Sequence, residues 1–137
     1  MSLFSIFQVA GSGMAAQSQR LNAVASNLAN AESASSPDGQ VYRARHVLFA
    51  EQPVAGPAGS AATGVGVTAV IEDQSAPRKV YDPRHPLADA QGYIAMPNVN
   101  PVDEMVDMIS ASRAYQNNVE TFNAAKALVQ KTLSIGQ

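Results

Sequence analysis

Apolar residues recur at one fixed pitch at both ends of this chain. Phe7, Met14, Leu21 and Leu28 lie seven residues apart near the start, and Met108, Tyr115, Phe122 and Val129 repeat the spacing near the end. A strict seven-residue repeat holds one narrow stripe of a helix against a partner, the pattern of a coiled-coil seam. Ala10, Val24 and Ala31 fall three residues after rungs of the first ladder and fill its second seam position, and Val119 joins the second seam. The pattern predicts one helix from about Leu3 to about Ala31 and another ending at about Leu133.

The second helix has a clear start. Asn100 suits a cap, Pro101 the first helical position, and Asp103 and Glu104 the first turn, where acidic groups meet the positive end of the helix dipole. Lys126 and Lys131 come late, with Gly136 beyond. At 1.5 Å per residue each helix is long enough for about 40 to 50 Å. A chain that leaves one helix for a compact insert and returns to the other makes the two antiparallel most simply.

Between them the periodicity changes. Ser33, Ser35, Ser36, Pro37, Asp38 and Gly39 cluster as helix breakers and turn formers. Tyr42 to Phe49 is strand-like in composition, and Val65, Val67, Ala69 and Ile71 alternate cleanly as a second strand. Pro53, Gly56, Pro57, Gly59 and Gly64 separate them as a loop expected to be exposed and flexible. Val80-Tyr81 and Tyr93-Ile94-Ala95-Met96 are further short strands, the first limited by the turn-rich run Asp82-Pro83-Arg84-His85-Pro86. The predicted fold class is α+β. Residues 1–33 and 98–137 supply the helices of an antiparallel, coiled-coil-like stalk, and residues 34–97 a small β-rich middle.

Composition narrows the function. With 137 residues there is room for one domain or two modest layers, and a net charge of −2 provides no field for nucleic acid or an anionic membrane. Cysteine is absent, which excludes disulfides and cysteine-ligated zinc. The apolar start, Met1 to Phe7, lacks the basic residues of a signal peptide and continues in phase into the first ladder, so it is expected to be mature helix.

Candidate chemistry is sparse. His46 and His85 are far apart and lack metal-ligand spacing, and His85 between Arg84 and Pro86 suits a turn. Gly64-Val65-Gly66 begins like a dinucleotide loop but has no third glycine and no helix signal after it. Asp103, Glu104 and Asp107 are accounted for by their helix start. No catalytic constellation emerges, and neither an enzymatic activity, a cofactor, a metal nor a small-molecule substrate is expected.

The helices look incomplete on their own. Gly11 and Gly13 each cost the first helix about 1 kcal/mol. Ala15, Ala16, Ala23, Ala25 and Ala29, and Ala111, Ala114, Ala124, Ala125 and Ala127, leave several sides narrow enough for close helix approach. Asn22, Asn27, Asn30, Asn117, Asn118 and Asn123 stand where a solvated stalk would carry Lys and Glu. Helices of other subunits are expected to cover these faces, with order arriving on assembly.

The residues around the ladders carry a family resemblance. Ala10-Gly11-Ser12-Gly13-Met14, Gln17, Arg20-Leu21-Asn22 and Ala25-Ser26-Asn27-Leu28-Ala29-Asn30 resemble the N-terminal motif of flagellar axial proteins, the rod and hook superfamily. Asn98 to Val106 and Ser110 to Asn118 are similar to its C-terminal motif. The ending from Phe122 to Gly136, with Val80-Tyr81-Asp82-Pro83 and His85-Pro86, is narrower and resembles a short basal-body rod subunit. The likeness weakens between about Ala31 and Gln40 and from Pro53 to Thr63, and no family role is carried onto those loops.

That resemblance implies a structural subunit of the proximal rod, self-assembling with copies of itself and other rod proteins into the axial drive shaft needed for flagellum assembly and motility. It implies export by the flagellar type III apparatus without cleavage, and a place in the rod that spans the periplasm above the membrane-embedded ring. Phe7, Met14, Leu21, Val24 and Leu28 would pack on Met108, Tyr115, Val119, Phe122 and Val129 within one subunit. Asn27, Asn30, Arg113, Gln116 and Asn117 would contact neighbouring subunits. A different class, a cytoplasmic helical adaptor or export chaperone with one partner, would need a self-sufficient fold and a more charged surface. A small metal-dependent enzyme is a third alternative, and it would require folding to gather distant carboxylates and histidines.

Overall fold

A computed structural model describes residues 3–34, 40–54 and 62–135. The expected breakers Ser35, Ser36, Pro37, Asp38 and Gly39, the Pro/Gly-rich run at 55–61 and Gly136 lie outside the described residues. In chain order the elements are α1 (Leu3–Asn30), β1 (Arg45–Pro53), β2 (Thr63–Glu72), β3 (Arg78–Tyr81), β4 (Tyr93–Met96) and α2 (Pro101–Ile135). The class is α+β.

The start of α2 follows from its residues. Asn100 Oδ1 accepts from the Val102 amide at 3.1 Å, and the Asn100 side-chain amide donates to Asp103 at 2.7 Å. Pro101 opens the helix with no N–H to satisfy, and the first helical bond runs from the Glu104 amide to the Asn100 carbonyl. At the other end of the connection, α1 stops in a turn in which the Ser33 amide and hydroxyl both donate to the Asn30 carbonyl.

The helices pack antiparallel. Phe7 meets Phe122 edge to face with ring centres 4.8 Å apart, Gly13 lies against the Asn118 amide, Arg20 binds Asp107 at 2.9 Å, and Asn27 binds Glu104 at 3.0 Å. As the number rises along α1, its partner's number falls along α2. The buried positions of α1 include Ala10, Gly13, Ala16, Val24 and Asn27, with Ala31 just past its end, and those of α2 are Glu104, Ala111 and Ala125. These are mostly small residues, which let two backbones approach closely. The larger rungs Phe7, Met14, Leu21, Leu28, Met108, Phe122 and Val129 are only half-buried, as is Val119, and Tyr115 is exposed.

The middle consists of two separate antiparallel pairs. β1 and β2 pair from Arg45↔Glu72 to Pro53↔Thr63, with a bulge at Leu48/Phe49, and both strands contact α1. Ser12 anchors them, because its hydroxyl donates to the Val9 carbonyl and accepts from the Val65 amide at 3.1 Å. A side chain at Gly64 would collide with that hydroxyl, so the strand can approach α1 only with glycine there. β3 and β4 pair from Arg78↔Met96 to Tyr81↔Tyr93. The expected strand from Tyr42 begins instead at Arg45 and runs to Pro53, since the Tyr42 hydroxyl and the Ala44 amide are engaged by asparagine side chains.

Candidate assembly interface

A polar clasp joins the helices to the β middle. Asn27, on the inner face of α1, donates through Nδ2 to the Arg45 carbonyl at 2.9 Å and to Glu104 Oε1 at 3.0 Å. Its Oδ1 accepts from the Arg45 amide at 2.8 Å and the Tyr42 hydroxyl at 2.9 Å. Two donors and two lone pairs are the whole capacity of an amide side chain, and all four are used. Asn27 is 0% exposed.

The expectation that Asn27 meets a neighbouring subunit is therefore corrected. A side chain with no exposed surface and no spare hydrogen-bonding capacity has nothing to offer another chain. Its partners Tyr42, Arg45 and Glu104 escaped the sequence reading as a group, because folding alone brings them together. One signal was available: Asn27 lies three residues after Val24 and four before Ala31, inside the stripe that the pattern buries.

A second asparagine completes the attachment. Asn98 Oδ1 accepts from the Ala44 amide at 2.9 Å, and its Nδ2 donates to the Asp73 carbonyl at 3.2 Å and to Ser75 Oγ at 2.8 Å. The Asp73 amide returns a bond to the Ala44 carbonyl at 2.8 Å. Ala31, Ala44 and Val99 form a small apolar core beside it, with Tyr42 packed against them. The entry to β1 is thus held from both sides by amides aimed at its main chain.

Electrostatics follow burial. Glu104 is nearly inaccessible, and desolvation pushes its carboxyl above the ordinary carboxylate value; the Asn27 bond and His46 oppose this, whereas Asp107 and Asp103 add to it. Burial likewise raises the Tyr42 phenol, against the pull of Arg45, whose guanidinium lies 5.7 Å from the ring centre. The Arg20–Asp107 pair is partly open to water and contributes about 0 to 1 kcal/mol.

The other expected contact residues lie outside this clasp. Arg113, Gln116 and Asn117 are exposed on α2. Asn30 is half-buried, its amide donating to the Ser26 carbonyl at 2.8 Å. Val102, Met105, Val106 and Ile109 make an exposed apolar stripe that the sequence reading did not single out. His46 is exposed, and His85 Nδ1 accepts from the Leu87 amide within a turn. Among the described residues no cluster of three His, Cys, Asp or Glu is placed to hold a metal ion, and no helix is long and apolar enough to cross a membrane.

Comparison with known proteins meets the same two helices. Residues 7–32 match the family described as "Flagella basal body rod protein", and residues 90–135 match "Flagellar basal body rod FlgEFG protein C-terminal". Over its full length the chain is 56% identical to the flagellar basal-body rod protein FlgC of Salmonella typhimurium and 54% to that of Yersinia enterocolitica, covering 100% of each. It is 39% identical to FlgC of Borreliella burgdorferi, with 100% of this chain and 99% of the relative covered. Matched end to end at these identities, the chain belongs to the FlgC family of flagellar basal-body rod proteins and is a structural subunit of that rod.

Proposed function

We propose that this chain builds the proximal part of the rod, associating with copies of itself and with other rod proteins above the membrane-embedded ring after export by the flagellar type III apparatus. Its role is mechanical. The antiparallel helix pair acts as a coiled-coil-like stalk that transmits force along the axis across the periplasm. Phe7, Met14, Leu21, Val24 and Leu28 set its register against Met108, Tyr115, Val119, Phe122 and Val129, while Asn30, Arg113, Gln116 and Asn117 make polar contacts to adjacent subunits.

One observation carries this reading: both helices leave extensive small and apolar faces open to solvent although the Asn27 clasp between them has all its hydrogen bonds made within the chain. A subunit that finishes its fold only in a polymer has such faces. The test is complementation of Salmonella cells that lack their own FlgC. The chain should restore swimming and be located in the rod of purified basal bodies by immunoelectron microscopy. Leu21→Asp, which sets an unpaired charge in the seam, should abolish rod completion while export continues; normal swimming would remove the seam assignment.

A further inference from the structure

The β1–β2 hairpin leaves part of one edge bare. In an antiparallel pair, residues whose main-chain N–H and C=O point at the partner strand alternate with residues whose groups point away. Arg45 is of the second kind, since the Asn27 side chain binds both its amide and its carbonyl and so stands where a residue of a third strand would stand. The bulge places its extra residue in β2, so the alternation along β1 is unbroken and Val47 and Phe49 also turn their N–H and C=O outward. The other end of the hairpin agrees: the Val65 amide, opposite Glu51, points out to Ser12, and Pro53, with no N–H, falls in the same outward row. Among the described residues no third strand or turn pairs with the outward groups of Val47 and Phe49.

The helix does not cover that stretch. Asn27 meets the hairpin at the outer edge of β1, whereas Ser12 meets it at the outer edge of β2. α1 thus passes diagonally beneath the hairpin, and between those points the β1 edge borders a cleft of about 290 Å³ that Glu104 and Asp107 of α2 also line. Asp107 is paired with Arg20, but Glu104 accepts from the Asn27 amide and, among the described residues, forms no salt bridge.

An extended, basic segment suits this edge, and the chain contains one. β3 is Arg78-Lys79-Val80-Tyr81, exposed throughout, with two cations and no acidic group. The β3–β4 ribbon packs on no other described element and stands clear of its own β1, and so short a two-stranded ribbon is marginal by itself. The Tyr93 amide and carbonyl are bound by Asp89, so Tyr81 opposite it, and Lys79 two residues before, turn their main-chain groups to the outside. Each bare edge therefore offers two residues at the same spacing.

Resting on the reading as a self-associating rod subunit, we infer that β3 of one copy adds to the open edge of β1 in the next, as a third strand of the β1–β2 sheet. Main-chain hydrogen bonds between Val47 and Phe49 on one side and Lys79 and Tyr81 on the other hold it, and Arg78 and Lys79 bring positive charge to the cleft that Glu104 and Asp107 line. One edge belongs to the hairpin and the other to the ribbon, so the contact is heterologous and runs from copy to copy.

The chain has no natural cysteine, so the contact can be trapped. Leu48 and Val80 are exposed near the centres of the two edges, and they lie about 5 to 8 Å apart in strands paired in either direction. Basal bodies would be purified from cells whose only copy carries both Leu48→Cys and Val80→Cys, then treated with a short bifunctional maleimide. The expected result is covalent dimers and higher multiples of this chain, with monomers alone from either single variant. Monomers alone from the double variant, or adducts to a different protein, would overturn the contact while leaving the rod reading intact. Failure to find even the unmodified chain in basal bodies would instead overturn the rod reading. As a second measurement, Val47→Pro removes one outward N–H and leaves the β1–β2 ladder its bonds, as Pro53 does naturally, whereas Val47→Ala keeps that N–H. Incorporation of Val47→Pro should fall about tenfold below that of Val47→Ala. Equal incorporation of the two would also overturn the proposal.

Discussion

Asn27 and Glu104 lie 77 residues apart in the chain and share a hydrogen bond of 3.0 Å, with Asn27 wholly buried. Through that one side chain, α1, α2 and the entry to β1 are tied together. Asn27→Ala strips partners from Tyr42, Arg45 and Glu104 at once, and the expected cost is at least about 2 kcal/mol. Asn27→Asp keeps the shape but replaces two donors with acceptors beside a carboxylate, so it should be worse at neutral pH than in acid. Folding midpoints in a stabilising osmolyte would measure both variants. A midpoint unchanged in Asn27→Ala would remove the clasp as a fold-defining contact.

Glu104 links the fold to pH. Burial raises its carboxyl above the ordinary value of 4.5, so the folded chain holds the proton more tightly than the unfolded chain does. Its favourable contribution is complete below that ordinary value and is lost as pH rises through the raised one. Glu104→Gln retains an acceptor for Asn27 with no charge to desolvate. At neutral pH it should be at least as stable as the unmodified chain, with the advantage fading in acid. A variant that loses stability at neutral pH would show that the charge itself is favourable there.

The two glycines inside α1 should respond in opposite directions. A Cβ on Gly11 meets no atom within 4 Å, so Gly11→Ala is expected to stabilise by about 0.5 to 1 kcal/mol through helix propensity and a less flexible unfolded chain. A Cβ on Gly13 would stand 2.9 Å from the Asn118 amide, whose Nδ2 donates to the Ala114 carbonyl. Gly13→Leu must push α2 away and should lower helicity and assembly. Equal behaviour of the two variants would contradict the packing of α1 on α2.

Helix formation should be coupled to assembly. Phe4, Val102, Met105, Val106, Ile109, Leu128 and Leu133 are all exposed in the single chain, and the buried helix contact is built mainly from small residues. Far-ultraviolet circular dichroism of the isolated chain should show weak helicity that increases on polymerisation or on addition of another rod protein. A fully helical monomer with a sharp thermal transition would refute this.

Much of the architecture was readable because its determinants are local. The cap at Asn100, the proline after it and the acidic first turn announced α2, and the clean alternation of Val65, Val67, Ala69 and Ile71 announced β2. β4 occupies the very residues expected for it. The start of β1 was misplaced by three residues, since nothing in Tyr42 or Ala44 reveals that asparagines distant in sequence take their polar groups. The reading of Asn27 failed for a related reason: amides on a helix look alike until burial distinguishes them, and Asn30, three residues on, is only half-buried.

By itself the sequence determined that two long helices flank a β-rich middle and that their motifs are those of flagellar axial proteins, because periodicity, capping and motif are properties of neighbouring residues. Tertiary structure alone decided what lies at the centre of the helix contact. Phe7 and Phe122 do meet, yet the other large rungs sit on the flanks while Ala10, Val24, Ala111 and Ala125 are buried. Heptad spacing defines a stripe but not which of its adjacent rows is innermost. That choice belongs to the rotation of each helix, which is set by contacts such as Asn27 with Arg45 and Glu104, 18 and 77 residues away.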